Sequence, residues 1–221
     1  EKYNLKPEEV LYMGDDIPDY VQPYQTEAVD SVAGVFAGQP FNDHFTYRRD
    51  VEIQRDVTNW MLSDEELSMG FANAKVQLDS GQLLENIHRI QARNNIKLSN
   101  SLKSGGLGVC SLDVEMETGT GKTYVYIKTM FELNKKYGWS KFIVVVPSIA
   151  IREGVKKSFE ITADHFMEYY GKKARFFVYN SSNLNQLDNF SSSSGINVMI
   201  INTQAFASSL KEDGKSKEAR I

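Results

Sequence analysis

Residues 112–127 read Leu112-Asp113-Val114-Glu115-Met116-Glu117-Thr118-Gly119-Thr120-Gly121-Lys122-Thr123-Tyr124-Val125-Tyr126-Ile127, and the rest of the chain is arranged around them. The middle of the stretch, Thr118, Gly119, Thr120, Gly121, Lys122 and Thr123, has the residue types of a phosphate-binding loop. A polyphosphate carries dense negative charge, and main chain holds it by turning several N–H groups inward. Gly119 and Gly121 permit that turn, because glycine accepts positive φ and lets the backbone approach the oxygens closely. Lys122 is then placed to reach the β- and γ-phosphates of ATP, and the Thr123 hydroxyl to ligate Mg²⁺. A helix beginning at Lys122 points the positive end of its dipole at the same anion.

The eight-residue form of this motif asks for glycine at its first position, where the chain has Met116. The surroundings make up most of the loss. An apolar, strand-like run over residues 109–116, interrupted by charge, precedes the loop. Tyr124, Ile127, Met130, Phe131 and Leu133 follow it at helical spacing. That strand–loop–helix order is the context in which the motif carries meaning.

Further strands and helices alternate downstream. The apolar run at 142–146, ended by Pro147, reads as a strand buried on both faces, the mark of a parallel sheet. Its C-terminal end is where an open α/β sheet places functional loops. There Ser148 can cap the next helix, or its hydroxyl, its exposed amides and Arg152 can grip a phosphate backbone. A helical tract at 159–170, a β-type run at 174–179, a helix within 181–190, and a second buried strand at 197–201 follow. Strands alternating with helices predict an α/β fold with a doubly wound parallel sheet.

Upstream, Ala28, Val29, Val32, Val35 and Phe36 share a helical face that opens at Pro23 and closes at Gly38 and Pro40. Gln25 stands at the entry of this helix and on its residue type alone reads as a plain polar position. Residues 41–112 say less. Leu83, Leu84, Ile87, Ile90 and Ile96 mark an amphipathic helix after Gly81, and residues 99–108 read as a loop. Arg48, Arg49 and Arg55 alternate with Asp50, Glu52 and Asp56, the pattern of a solvated face. His44, His88 and His165 have no metal-ligand spacing, so each reads as a surface or packing histidine. The charged residues 211–220 read as a solvated loop.

Bulk properties narrow the class. With 221 residues and 41% hydrophobic content the chain has material for a globular core. A net charge of −4 neither favours nor excludes nucleic acid, which needs a local basic surface rather than a basic total. One cysteine, Cys110, rules out an internal disulfide and suits a reducing compartment. No apolar run approaches the ~20 residues of a membrane helix. The expectation is a soluble, cytoplasmic protein with no membrane contact.

Four segments in order now carry a likeness: Tyr24-Gln25, residues 116–123, residues 145–154 and residues 200–206. Over about residues 21–221 the chain resembles the restriction subunit of type III restriction–modification enzymes, a branch of the superfamily-two helicases, which also tend to carry methionine at the position of Met116. The resemblance implies the first RecA-like lobe of a motor that spends ATP on moving or switching along DNA, and that cleaves DNA with a methyltransferase (modification) subunit. By this likeness Gln25 contacts adenine, Thr118, Gly119, Thr120, Gly121, Lys122 and Thr123 hold the nucleotide, and Lys122 stabilises transferred charge. Pro147, Ser148, Arg152, Thr203 and Gln204 lie along DNA, and residues 41–112 are an insertion before the loop.

Phosphoryl transfer also needs a carboxylate at a later strand end and an arginine from a second lobe. Neither follows Asn202, so the chain is expected to bind ATP without turning it over efficiently. Residues 1–20 stand apart and are expected to be a non-functional segment of foreign origin, joined to the rest. Asp15, Asp16 and Asp19 after an apolar run suit a hard cation. They resemble the last acidic motif of haloacid-dehalogenase-type sugar phosphate phosphatases, without the Asp-x-Asp pair such an enzyme needs. Two other readings therefore stand beside the motor: a Mg²⁺-dependent phosphatase fragment, and a nucleotide- or DNA-binding fragment without catalysis.

Overall fold

The computed structural model describes residues 22–42, 45–48, 69–104, 108–180 and 185–211. Among them the order is α1 (Pro23–Gly34), β1 (Phe45–Arg48), β2 (Met69–Ala72), α2 (Ser80–Arg93), α3 (Lys122–Tyr137), β3 (Lys141–Val146), α4 (Ile149–Tyr170), β4 (Arg175–Val178), α5 (Asn185–Ser192), β5 (Asn197–Asn202) and α6 (Thr203–Lys211). The acidic segment 1–20, His44, the charge alternation at 49–56 and residues 212–220 lie outside the described residues.

The helical crossovers let β3, β4 and β5 run parallel, in the spatial order β3-β5-β4. Lys141 pairs with Asn197 and Val146 with Asn202, while Arg175 pairs with Asn197 and Val178 with Ile200. Alternation along β5 sends Val198 and Ile200 to one face, where they meet Ile127, Met130 and Phe131 of α3 and Val155, Phe159 and Phe166 of α4. Met199 and Ile201 point the other way, against Leu187, Phe177, Phe190, Ala205 and Phe206. Helices thus cover both faces, as the doubly wound expectation requires.

Two expectations about strands change. The run at 142–146 does form a strand, but β3 is an outer member of the described sheet, and Ile143 and Val145 are 38% and 40% exposed. The strand buried on both faces is β5, in which Val198, Met199 and Ile200 are each 0% exposed. Residues 109–116 are not a strand. Asp113 and Glu115 separate the apolar positions, so one face of the run must stay in water, and an inner strand has no such face. The segment instead has no regular structure and, with residues of α1 and α2, lines a groove of about 690 Å³ through Leu112, Val114 and Met116.

Residues before the loop form a layer on α3. The Tyr137 hydroxyl donates to Ala33 O at 2.8 Å, and Phe36 meets the edge of Trp139 at 4.9 Å between ring centroids. The Trp139 indole donates to Ala74 O at 3.0 Å. Asn73 accepts from the amides of Ser140 and Lys141 at 2.7 and 2.9 Å and donates to Lys141 O at 2.8 Å, tying this layer to the start of β3. In α2, Asp79 caps the Gln82 amide at 2.9 Å, and the buried Asn86 donates to Val35 O and Ala37 O. The β1–β2 antiparallel pair, Phe45 opposite Ala72, was not legible in the low-contrast region before the loop. Ile96 lies beyond α2 and is exposed rather than on its apolar face.

Candidate nucleotide-binding site

Residues 118–120 turn back and residue 121 opens a helix, as the loop reading requires. Gly119 and Gly121 have φ of 84° and 82°, the left-handed region that residues with a Cβ enter at a cost. Thr120 steadies the turn from within, its hydroxyl donating to Glu117 O at 2.6 Å. Helix α3 starts at Lys122 with Gly121 as N-cap. Glycine brings no side-chain acceptor, and the first turn carries no acidic residue. The first amides of α3 therefore face outward with the positive end of the dipole behind them, and neither a cap nor a carboxylate competes for them. A Cβ on Gly119 would meet nothing within 4 Å, so the loop looks onto open space.

Lys122 is exposed at the first helical position and Thr123 half-buried at the second. Backbone amides, one ammonium and one hydroxyl in this arrangement suit a polyphosphate with its divalent cation, and Lys122 and Thr123 are the side chains that would hold that pair.

The structure brings Gln25 directly to the loop. Its Nε2 donates to Thr120 O at 3.0 Å, while its Oε1 accepts from the Gln22 amide at 3.2 Å in a capping box at the start of α1. One N–H and one lone pair of the amide remain, enough to face an adenine edge. Tyr24, which the sequence offers only as part of the Tyr-Gln pair, donates its hydroxyl to the same Thr120 O at 3.3 Å.

The first turn of α3 also meets α4, through contacts between positions far apart in sequence. The Tyr124 hydroxyl and His165 Nε2 lie 3.0 Å apart, and the Tyr124 ring stacks on Phe166 at 5.3 Å. Burial pushes the Tyr124 phenol up to about 12, with the neighbouring Tyr169 adding to the effect. Lys128, buried on the same helix, lies 5.3 Å from the Tyr169 ring centre and 6.0 Å from that of Tyr124. Burial lowers its ammonium below the ordinary lysine value, while Glu132 and Asp30 oppose that shift. His165 and His88, which approaches Ser99 O at 2.7 Å, are packing histidines as expected. Among the described residues no cluster of histidine, cysteine and acidic side chains is arranged to hold a metal.

The remaining candidates gather elsewhere. Because Val146 pairs with Asn202, Pro147 and Ser148 leave the sheet beside Thr203 and Gln204, at the C-terminal strand ends. Ser148 caps α4 by accepting from the Ile151 amide at 3.3 Å, so its capping reading holds. Arg152 lies one turn further on, paired with Glu153 at 2.9 Å. Thr203 opens α6, where Asn202 Oδ1 accepts from the Ala205 amide at 2.8 Å. From Ser148 to His165 is seventeen residues of α4, about 25 Å at 1.5 Å per residue. The long helix thus has the five strand-end candidates at its start, and near its end it meets α3.

Comparison with known proteins agrees with the geometry. A family model described as type III restriction enzyme, res subunit, matches residues 84–220, more than half of the chain. The Type III restriction-modification enzyme EcoP15I Res subunit of Escherichia coli is 34% identical over 161 residues, which is 72% of this chain and 14% of that protein. The EcoPI Res subunit of Escherichia phage P1 is 32% identical over the same shares, and the StyLTI Res subunit of Salmonella typhimurium is 44% identical over 88 residues. The chain thus spans about 14% of the length of the first two relatives. With a parallel sheet wound on both faces and a glycine-rich turn opening α3, the chain belongs to the family of type III restriction enzyme res subunits.

Proposed function

We propose that this chain is the ATP-binding part of the first motor lobe of a DNA-cleaving restriction enzyme. The observation that carries the reading is the loop. Gly119 and Gly121 are left-handed, and α3 begins without a side-chain cap and has Gln25 seated at its base. In this reading the amides around 118–123 cradle the phosphates, Lys122 reaches the β- and γ-oxygens, Thr123 holds Mg²⁺ and Gln25 reads adenine. The bound cation supplies charge neutralisation at the phosphates. The protein's part is to orient them and to keep an ammonium beside them. Pro147, Ser148, Arg152, Thr203 and Gln204 form a strip at the C-terminal strand ends that takes a DNA backbone. A modification methyltransferase subunit is the expected partner of the whole enzyme, given that the relatives are Res subunits of restriction–modification enzymes. Residues 21–221 make the front of the ATPase domain, with 41–112 inserted before the loop.

Titration of ATP with Mg²⁺ into the purified chain tests the reading. Saturable binding that falls roughly 10- to 100-fold in Lys122→Ala is expected, the range for a lost charged hydrogen bond. Binding indifferent to that substitution refutes it. The chain is expected to hold ATP without DNA-stimulated turnover; robust hydrolysis abolished by Lys122→Ala would show that it needs no further carboxylate or arginine.

A further inference from the structure

We propose that Tyr24 and Gln25 form a two-donor clamp on the Thr120 carbonyl, and that this clamp sets the phosphate loop for any polyphosphate, whatever base it carries. The proposal rests on the reading of residues 118–123 as a nucleotide site and adds a role for α1 that base recognition does not contain.

A loop that turns its amides toward an anion must turn its carbonyls away, and each such carbonyl needs a donor behind it. Thr120 is the last residue before the left-handed Gly121, so the direction of its carbonyl decides how α3 opens. That oxygen receives Gln25 Nε2 at 3.0 Å and the Tyr24 hydroxyl at 3.3 Å, which together occupy both lone pairs. The donors are adjacent residues in the first turn of α1, and Gln25 is itself fixed by the Gln22 amide. The fit behind the loop is close, since a Cβ built on Gly121 would come 2.5 Å from Gln25 Nε2. Helix α1 is anchored independently, through the Tyr137 hydroxyl on Ala33 O and Lys136 beside Asp30 at 3.4 Å. The clamp therefore pulls on the loop from a fixed support. Tyr24 and Gln25 are positioning residues in this role, acting on the phosphates through Thr120.

Calorimetric titration of three ligands separates positioning from base reading: inorganic tripolyphosphate, GTP and ATP, each with Mg²⁺. The variants are Tyr24→Phe, which removes one exposed hydroxyl, and Gln25→Met, which keeps the volume and removes the amide. Tyr24→Phe is expected to weaken all three ligands by one common factor of roughly 2- to 10-fold, the range of one hydrogen bond, without changing the melting temperature of the free chain. Gln25→Met is expected to weaken tripolyphosphate similarly and ATP further, because the adenine contact goes as well. Unchanged tripolyphosphate affinity in Tyr24→Phe overturns the clamp, whatever Gln25→Met does. Failure of the unmodified chain to bind any of the three overturns the nucleotide reading itself.

Discussion

Gly121 has two separate reasons to be glycine, and Gly119 only one. Both have positive φ, but behind Gly121 stands the Gln25 amide, whereas nothing lies within 4 Å of a Cβ on Gly119. Gly119→Ala should therefore cost only conformational strain, about 1–2 kcal/mol. Gly121→Ala carries the same strain and also drives the Gln25 amide off Thr120, so its loss of stability and of ATP affinity should be the larger. Thermal unfolding and ATP titration of the two variants side by side check this, and equal effects would mean that the Gln25 contact is unimportant. The glycines could be read in advance because they express a local need, positive φ, whereas Gln25 stands out only through the family likeness, since its residue type alone marks any polar position. Tyr124 and His165 could not be paired, since they lie forty-one residues apart and only the packing of α3 on α4 brings them together.

That packing is an aromatic ladder. Phe131 stacks on Phe166 at 4.7 Å and on Tyr170 at 5.1 Å, and the Tyr170 hydroxyl donates to Glu132 at 2.8 Å. Phe166 is 1% exposed, so Phe166→Ala should lower stability by about 3–5 kcal/mol in denaturant unfolding. The tyrosines add a pH signature. Burial raises Tyr124 from 10.0 to about 12, and Tyr170 rises for the same first reason, with the Glu132 carboxylate adding to it. Their contribution is fully present below pH 10 and is lost as pH climbs through the folded values. Lys141 acts oppositely. Its ammonium donates to Phe190 O and Ser193 O, but burial, with Arg175 nearby, lowers it from 10.5 to about 8. Between those two values the unfolded chain binds the extra proton, so this group makes stability rise with pH. Melting temperatures across this range should show the alkaline fall flattened in Tyr124→Phe and the earlier rise reduced in Lys141→Met. A profile unaltered by either variant would contradict these assignments. At this scale helix existence was legible from periodicity. Strand rank was not: two apolar runs of similar length read alike, and only the order β3-β5-β4 decides which is inside.

Across the whole molecule the candidate residues fall into two groups on one frame, and the frame predicts that they can be separated. The strand-end group exists because β3 and β5 run parallel in register, which no local pattern announces, although alternating strands and helices imply a parallel sheet. The nucleotide group exists because α1, which lies before the family-matched residues 84–220, packs back onto α3. Arg152 tests the first group. Its ion pair with Glu153 lies at the surface, where such pairs contribute about 1 kcal/mol or less, so a DNA phosphate can displace the carboxylate. Arg152→Ala should weaken binding of a labelled DNA duplex and lower the slope of log affinity against log salt by about one, while leaving ATP affinity unchanged. Lys122→Ala should do the reverse, removing ATP affinity and leaving the salt slope for DNA intact. Fluorescence anisotropy over a salt series, paired with ATP titration of both variants, measures the two effects independently. If Arg152→Ala leaves the salt slope unchanged, that arginine does not meet a DNA phosphate and the strand-end strip loses its charged member. If instead each substitution impairs both ligands equally, the roughly 25 Å of α4 between the groups transmits more than its local contacts show, and they act as one site.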